Sequence, residues 1–288
     1  MTTRVGHSFG AMRRYIQMSR HRVFIYVEGR DLDPVFYGRL CGPVLRGQGL
    51  SHEIIVADRV AGGGGGKNVL IRLFDYLRKR KALIDRSGPD AKLVMFYADK
   101  DTDDVFRTMR RSPNFIYTRH YCAENEVFCE GDLLSSIATA GSLDPGIVET
   151  RIPDPAVWRR AAAADWRNWI VLCLAAQKLR MGGPATYSAS HETINSKVNP
   201  ANLAGCEADL RARSGLPAPI FAEVIAWAKR CVDLTFRRGN HDRLFKGKWY
   251  VLFAMHELEQ IASAHDPINQ NGARDRLTGS LIATIQKV

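Results

Sequence analysis

Short runs of β-branched and aromatic residues, separated by segments of helical periodicity, constrain the fold of this chain most. The first run is Val23–Val27, and others cover residues 53–57, 92–98 and 115–118. Continuous apolar runs are typical of strands buried on both faces of a parallel sheet. Helical patterns follow from about residue 33, from residue 67 to about 83, and from about residue 124. This alternation predicts an α/β fold, with an N-terminal parallel sheet flanked by helices.

The pattern changes after about residue 140, where Pro145, Pro153 and Pro155 mark a boundary. We therefore expect a sheet domain over residues 1–140 and a mostly helical domain over 141–288. Helical periodicity covers about 155–181, 217–235, 248–264 and 273–286, and residues 182–216 are expected to form a loop region. Residues 1–22 carry five arginines and no acidic residue, which predicts a short helix or a basic arm.

The composition of the 288 residues is that of a globular protein, with 45% hydrophobic and 25% charged residues. The longest apolar run, Trp169–Ala176, is too short for a bilayer span of about 20 residues. The N-terminus has no apolar segment typical of a secretory signal, and the six cysteines form no C-x-x-C pair. We therefore expect a cytoplasmic protein with reduced thiols and no membrane partner.

A basic surplus favours polyanionic partners, because 41 Lys and Arg face 30 Asp and Glu and the net charge is +11. The alternative is that the surplus serves solubility alone. One basic segment is a candidate nucleic-acid interface, with contacts expected from Arg237, Arg238, His241, Arg243, Lys246 and Lys248. Its interleaved aromatic residues would either stack on unpaired bases or anchor the following helix in the core.

Acidic residues follow three of the expected strands. Glu28 ends the first strand, Asp99 and Asp101 end the third, and Glu124 follows the fourth. Carboxyl ends of parallel strands meet at one edge of a sheet, where functional groups gather. Converging carboxylates repel one another unless a hard cation such as Mg²⁺ neutralises them. The alternative is that each acid caps a helix or lines a solvated loop.

These residues resemble the TOPRIM domain of topoisomerases, bacterial primases and OLD nucleases. The similarity lies in Val27-Glu28-Gly29, a following aspartate, and Asp99-Lys100-Asp101 at a strand end. Asp33 with Phe36-Tyr37, Lys67-Asn68-Val69 after the glycines, and Glu124-Asn125 make the chain similar to one TOPRIM-like subfamily. That subfamily includes the toxic effector of the PARIS antiphage defence system. The resemblance covers about residues 20–140.

The resemblance implies a set of metal ligands. Glu28 would be a ligand or a general acid/base, and Asp99 and Asp101 would hold Mg²⁺, with Mn²⁺ as a substitute. Asp103 would bind through water, and Glu124 matches an additional carboxylate of the subfamily. Asp33 is aligned by its distance to Phe36-Tyr37, although Asp31 could take this role.

The implied activity is that of a Mg²⁺-dependent nuclease effector in antiphage defence, with RNA, and tRNA in particular, as the expected substrate. A separate ABC-type ATPase is the implied partner, and a homodimer is left open. DNA cleavage of the OLD type and a non-catalytic regulatory subunit are the alternatives. A topoisomerase or primase is disfavoured because the chain is short and has no zinc-ribbon cysteine pairs.

Phosphodiester cleavage also needs a positive charge near the phosphate. Lys67, which follows the glycine run 62–66, is the first candidate, and Lys100 is a weaker one. The glycine run is not a P-loop, since Ala61 and Asn68 occupy positions that require Gly and Ser or Thr. We expect a mobile turn beside the site. The segment 239–242 is similar to the last motif of metallophosphoesterases, but the chain has no upstream D-x-H.

Overall fold

The computed structural model describes residues 7–60, 66–86, 91–183, 185–187, 200–264 and 272–285. Its contacts divide the chain into a first unit that ends at Ala123 and a second unit that begins at Glu124. This division lies earlier in the chain than the expected boundary after residue 140. Glycines 62–65 of the expected mobile turn lie outside the described residues.

The first unit contains strands and helices in alternation. In chain order its elements are α1 (Phe9–Met18), β1 (Val23–Val27), α2 (Leu32–Gly47), β2 (His52–Val56), α3 (Lys67–Lys79), β3 (Ile84–Asp85), β4 (Lys92–Ala98), α4 (Asp103–Phe106) and β5 (Phe115–Tyr117). The expected short N-terminal helix is therefore present as α1.

The sheet is mostly parallel, which confirms the predicted fold class. Strand β1 pairs in parallel with β2 and with β4, and β5 pairs in parallel with β4. In this register Val27 lies opposite Val56 and Tyr97, so β1, β2 and β4 end at the same edge. The antiparallel strand β3 also pairs with β4. Its two residues are too few to show a period in the sequence.

The core of the first unit fills the space between the sheet and helices α1 and α3. Tyr26, Phe96 and Phe115 come from three neighbouring strands, and their rings stack with centroids 5.1 and 5.8 Å apart. The ring of Phe74 from α3 meets Phe96 and Phe115 edge-on. Such aromatic pairs stabilise a core beyond the area that they bury.

Helix α2 packs against the strands through different residues from those that face α1 and α3. The ring of Tyr37 in α2 lies 4.6 Å from that of Tyr97 in β4, and the Cys41 thiol contacts the Tyr97 hydroxyl. Tyr97 alternates along β4 with Phe96, which belongs to the core on α3. Successive strand residues point to opposite faces, so the sheet is covered by helices on both faces.

The second unit is helical among its described residues. Its elements are α5 (Ala123–Glu130, beginning at the last residue of the first unit), α6 (Leu133–Gly141), α7 (Pro145–Arg151), α8 (Pro155–Asp165), α9 (Arg167–Lys178), α10 (Pro200–Ser214), α11 (Ala218–Arg237), α12 (Gly247–Ala264) and α13 (Ala273–Thr284). The mostly helical second half is therefore confirmed.

Three expectations about this half need correction. The helix expected over 155–181 is two helices that meet at Trp166, and the loop expected over 182–216 contains α10. Pro145 and Pro155 are the first residues of α7 and α8, where a missing N–H costs nothing. The carboxylates of Asp144 and Asp154 cap these helices, so the prolines start helices.

Helix α9 contains the longest apolar run of the sequence, and residues Trp169–Ala176 are all buried. It packs against α11 inside the second unit. Within the described ranges, every helix is too short or too polar to cross a membrane.

Candidate functional site

The structure brings two of the expected site residues together at the carboxyl edge of the sheet. Glu28 follows β1 and Asp99 follows β4, and these two strands are parallel neighbours. The backbone N–H of Asp99 donates a hydrogen bond of 3.4 Å to Oε2 of Glu28. The two acids therefore meet because their strands end in register.

Asp101 and Lys67 form the charged pair of this site. The backbone of Asp101 is left-handed, with φ of 49°, and its N–H donates to the carbonyl of Tyr121 at 2.7 Å. This turn after β4 presents Oδ2 of Asp101 to the Lys67 ammonium at 2.5 Å. Asp103, in the first turn of α4, accepts from the same ammonium at 3.1 Å. Lys67 thus bridges two of the expected metal ligands.

The electrostatics of the site favour a protonated Glu28 up to about neutral pH. Burial, and then the negative charge of Asp101, raise the pKa of Glu28 from 4.5 to about 7, although the Lys67 charge opposes this. Burial lowers the pKa of Lys67, but the neighbouring carboxylates of Asp101 and Asp103 outweigh it and the pKa is raised. Lys67 therefore stays charged while Glu28 titrates in the neutral range.

The structure distinguishes between Asp33 and Asp31, the two candidates for the same role at the site. Asp33 is buried in the first turn of α2, and its Oδ2 accepts the N–H of Gly29 at 2.6 Å. Its charge also raises the pKa of Glu28. Asp31 is exposed, and its side chain makes no cap hydrogen bond. Asp33 is therefore the aspartate that lies at the site, where it holds the turn after Glu28.

Lys100, the weaker of the two expected cations, is held by hydrogen bonds to the segment after β5. Its backbone N–H donates to the hydroxyl of Thr118 at 2.9 Å, and its ammonium donates to the carbonyl of Arg119. The side chain is buried, with 6% of its surface exposed. Lys100 thus links the turn after β4 to the segment after β5. Lys67 is the lysine that contacts the carboxylates of Asp101 and Asp103.

Asp99 is also held from the end of the first unit. Its Oδ1 accepts the N–H of Ala123, the first residue of α5, at 2.9 Å. The Sγ of Cys122 lies within 4.8 Å of an Asp99 carboxylate oxygen. Cys122 was not predictable as a site residue, because a lone cysteine carries no spacing signal in the sequence. Glu124 follows in the first turn of α5 as the first residue of the second unit, and its role as a ligand stays a prediction.

The donor set of the first unit fits a hard divalent cation. Glu28, Asp99 and Asp101 offer carboxylate oxygens, the ligands that Mg²⁺ prefers, whereas the Cys122 thiol suits softer metals. After burial, repulsion by the Asp101 charge is the next largest cause of the raised pKa of Glu28. A cation at this edge would relieve that repulsion.

Of the expected nucleic-acid contacts in the second unit, some side chains are exposed, and others are buried or bonded to neighbouring residues. Arg237, Arg238 and Arg243 are exposed at the end of α11 and just after it. The Lys246 ammonium donates to the carbonyl of Tyr187 at 2.8 Å, and His241 is buried with 7% exposed. Lys248 is exposed and lies 3.6 Å from a carboxylate oxygen of Glu124 within the same unit.

The aromatic residues of this segment are core residues. Phe245, Trp249 and Tyr250 are 0%, 3% and 0% exposed, and their rings contact one another. Of the two alternatives for these residues, the structure therefore favours anchoring of α12 over base stacking.

A buried polar clamp, which sequence analysis missed, fixes the same segment. The Asn125 side chain donates to the carbonyl of Phe245 and accepts the N–H of Gly247, each at 2.9 Å. It also donates to Oδ1 of Asp242 at 3.4 Å, and the Tyr250 hydroxyl donates to that oxygen at 2.7 Å. Asp242 thus has a structural role, and no sequence spacing links it to Asn125.

A scan against protein-family models and a search of curated proteins found no match to this chain. The resemblance to TOPRIM domains therefore stays a prediction. Any function assigned to the chain depends on the geometry of the carboxylates and of Lys67.

Proposed function

We propose that this chain is a Mg²⁺-dependent nuclease that cleaves phosphodiester bonds. The observation that supports the proposal most is the meeting of Glu28 and Asp99 at the carboxyl edge of a parallel sheet, beside the Lys67–Asp101 pair. Acids and a lysine gathered at this edge are typical of a site that handles a phosphate group.

The residues of the site have distinct proposed roles. Asp99 and Asp101 would hold Mg²⁺, and Glu28 would share the ion or move a proton. A carboxyl group with a pKa of about 7 suits proton transfer at neutral pH. The Lys67 ammonium would balance negative charge on the phosphate. When bound, Mg²⁺ would supply Lewis-acid charge and lower the pKa of a coordinated water.

The substrate and partner are proposed from the resemblance. RNA, with tRNA as the first candidate, would be the substrate in antiphage defence, and DNA is the alternative. ATP-dependent control would come from a separate ABC-type ATPase, because no P-loop sequence occurs in this chain.

A non-catalytic role is the second candidate, and one observation favours it. The Lys67 ammonium already neutralises Asp101 and Asp103 at hydrogen-bond distance. An ion pair of this kind can hold α3 and the turn after β4 together without any reaction. The two candidates differ in whether the acids bind a divalent ion.

Cleavage assays with purified chain, Mg²⁺, and either tRNA or plasmid DNA test the nuclease proposal. We expect Glu28→Gln and Asp99→Asn each to lower the rate at least about a hundredfold, since each removes a group from the reacting site. Glu149→Gln is the matched control, because this glutamate is exposed on α7. Equal cutting by wild type, Glu28→Gln and Asp99→Asn would reject the assigned site.

Calorimetric titration with Mg²⁺ and Mn²⁺ separates the two candidates without any cleavage readout. The nuclease proposal requires binding by the wild type and weaker binding by Asp101→Asn. A wild-type chain that is folded by circular dichroism and binds neither ion would favour the non-catalytic role.

A further inference from the structure

The net positive charge of the chain lies almost entirely in the first unit. Residues 1–123 contain 22 Lys and Arg against 12 Asp and Glu, whereas residues 124–286 contain 18 of each. The expected nucleic-acid contacts at 237–248 therefore belong to a unit with no net charge. A polyanion would be attracted first to the unit that carries the surplus.

Two arginines of the first unit are supported by aromatic rings on the surface where α1 packs against α3. The guanidinium carbon of Arg80 lies 3.8 Å from the ring centroid of Tyr76, and that of Arg72 lies 5.5 Å from the ring centroid of Phe9. The Phe9 and Tyr76 rings lie 5.6 Å apart. We call Phe9, Arg72, Tyr76 and Arg80 the arginine–aromatic face.

These two arginines differ from their neighbours in their charge partners. Arg78 and Arg110 both pair with Asp75, at 3.2 and 3.5 Å. Among the described residues, no acidic group lies within ion-pair distance of Arg72 or Arg80, and both side chains are exposed. Their charge is therefore available to an external anion.

The spacing of the face suits a chain of phosphates. Arg72, Tyr76 and Arg80 are four residues apart in succession, which places them along one side of α3 and its C-terminal cap, with the arginines about 12 Å apart. A guanidinium that rests flat on a ring keeps its N–H groups directed outward, in the fork geometry that matches phosphate oxygens.

We propose that the arginine–aromatic face binds the phosphate backbone of single-stranded nucleic acid. Arg72 and Arg80 would each contact a phosphate, and Phe9 and Tyr76 would hold the guanidinium groups in place. The same helix begins at Lys67, about 8 Å along its axis from Arg72, so this face and the carboxylate site share one helix. The inference rests on the proposed function only in taking nucleic acid as the ligand.

Fluorescence anisotropy of a labelled single-stranded oligoribonucleotide tests this face. All chains carry Glu28→Gln and are measured in EDTA, so binding is recorded without cleavage. We expect Arg72→Gln/Arg80→Gln to weaken binding about tenfold or more, because each arginine loses a charge-assisted hydrogen bond. The slope of log affinity against log salt should shrink by about 1.4, for two lost phosphate contacts.

The matched control is Lys229→Gln/Arg230→Gln, which removes two exposed cations from α11. We expect this pair to change the affinity less than about threefold, because neither residue belongs to the arginine–aromatic face and salt screens exposed charges that make no direct contact. Arg72→Lys/Arg80→Lys keeps the charge but loses the planar fork, and its affinity should fall between wild type and the glutamine pair. Circular dichroism establishes that each variant is folded.

Three results would overturn the proposal. If the Arg72/Arg80 and Lys229/Arg230 variants lose the same amount of RNA affinity, the effect is one of net charge alone. If the Arg72/Arg80 variant binds RNA as tightly as the parent chain, the face does not bind RNA. If the Arg72/Arg80 variant loses binding to phosphatidylserine vesicles but keeps its RNA affinity, the ligand of the face is an anionic membrane. If RNA binding depends on Arg72 and Arg80, and the chain with Glu28 intact cuts neither tRNA nor plasmid DNA in Mg²⁺, the face is supported and the nuclease is rejected.

Discussion

Glu28 is the acid that we expect to link stability to pH. Its folded-state pKa of about 7 lies above the ordinary 4.5 because of burial and the Asp101 charge. The folded chain thus binds this proton more tightly than the unfolded chain does. Stability therefore falls as pH rises from about 4.5 through about 7, by up to about 3 kcal/mol.

We expect Glu28→Gln to remove this dependence, because glutamine does not titrate. The variant should be more stable than wild type by about 3 kcal/mol at pH 8 and by less than about 1 kcal/mol at pH 5. Urea unfolding at both pH values measures the difference, with Glu149→Gln as the control. A wild-type curve parallel to that of Glu28→Gln across this range would contradict the raised pKa.

Lys67 gives a second expectation at the same scale. Replacing it by Met keeps the apolar stem and removes the ammonium that Asp101 and Asp103 share. The two carboxylates would then repel, and we expect a loss of about 1–3 kcal/mol at pH 7. Thermal unfolding of both chains at pH 7 provides the comparison, and equal melting temperatures would contradict the expected loss.

The positions of Glu28 and Asp99 were predictable, because residues that end neighbouring parallel strands must meet at one edge. The Lys67–Asp101 pair was predictable only in part. Lys67 was expected near the phosphate, but its contact with Asp101 depends on the left-handed backbone of that aspartate. Nothing in the Asp-Lys-Asp pattern specifies this conformation.

Among the helices, the start of α12 is expected to be the least tolerant of added volume. A Cβ at Gly247 would lie 2.4 Å from the backbone nitrogen of Asn125. Gly247→Ala would force α12 away from α5 and strain the Asn125 clamp, so we expect a loss of about 2–4 kcal/mol.

Gly205→Ala is the matched control for that substitution. Gly205 lies exposed within α10, and a Cβ there meets no atom within 4 Å. This variant should gain about 0.5–1 kcal/mol, because alanine favours the helix. Equal unfolding free energies for the two variants in urea would contradict the tight approach at Gly247.

Whether a segment forms a strand or a helix was predictable wherever its apolar residues formed a continuous run or followed the helical period. The strands at 23–27 and 92–98 are continuous apolar runs, and α3 has one apolar side. The break at Trp166 was missed because the apolar pattern continues across it, and this side chain is fully buried. Helix α10 was missed because it begins at a proline, contains Gly205 and has few buried residues.

For the whole molecule, the uneven distribution of charge leads to an expectation about the basic segment at 237–248. Arg237→Gln/Arg238→Gln removes two exposed charges from the neutral unit. If the arginine–aromatic face binds nucleic acid, this pair should lower the RNA affinity less than about threefold at moderate salt. Anisotropy titrations with the same oligoribonucleotide measure it. A loss as large as that of Arg72→Gln/Arg80→Gln would restore the interface expected from sequence.

The net charge could be read from the sequence, but its location could not. A count over the whole chain mixes the basic sheet unit with the balanced helical unit, and the division falls inside a motif, between Ala123 and Glu124. The interleaved aromatics at 245–250 suggested base stacking, because alternation of basic and aromatic residues looks the same in a sequence whether the rings are buried or exposed.

The Lys67 ammonium at the start of α3 balances the charge of Asp101 and Asp103, so the chain carries its own counter-ion for these carboxylates. Purification in chelating buffers should leave the protein folded, with the same melting temperature in the presence and absence of EDTA. An incoming divalent ion would have to compete with a tethered lysine, which raises the free ion concentration needed to half-fill the site. Occupancy would then follow the supply of free magnesium, and folding would not.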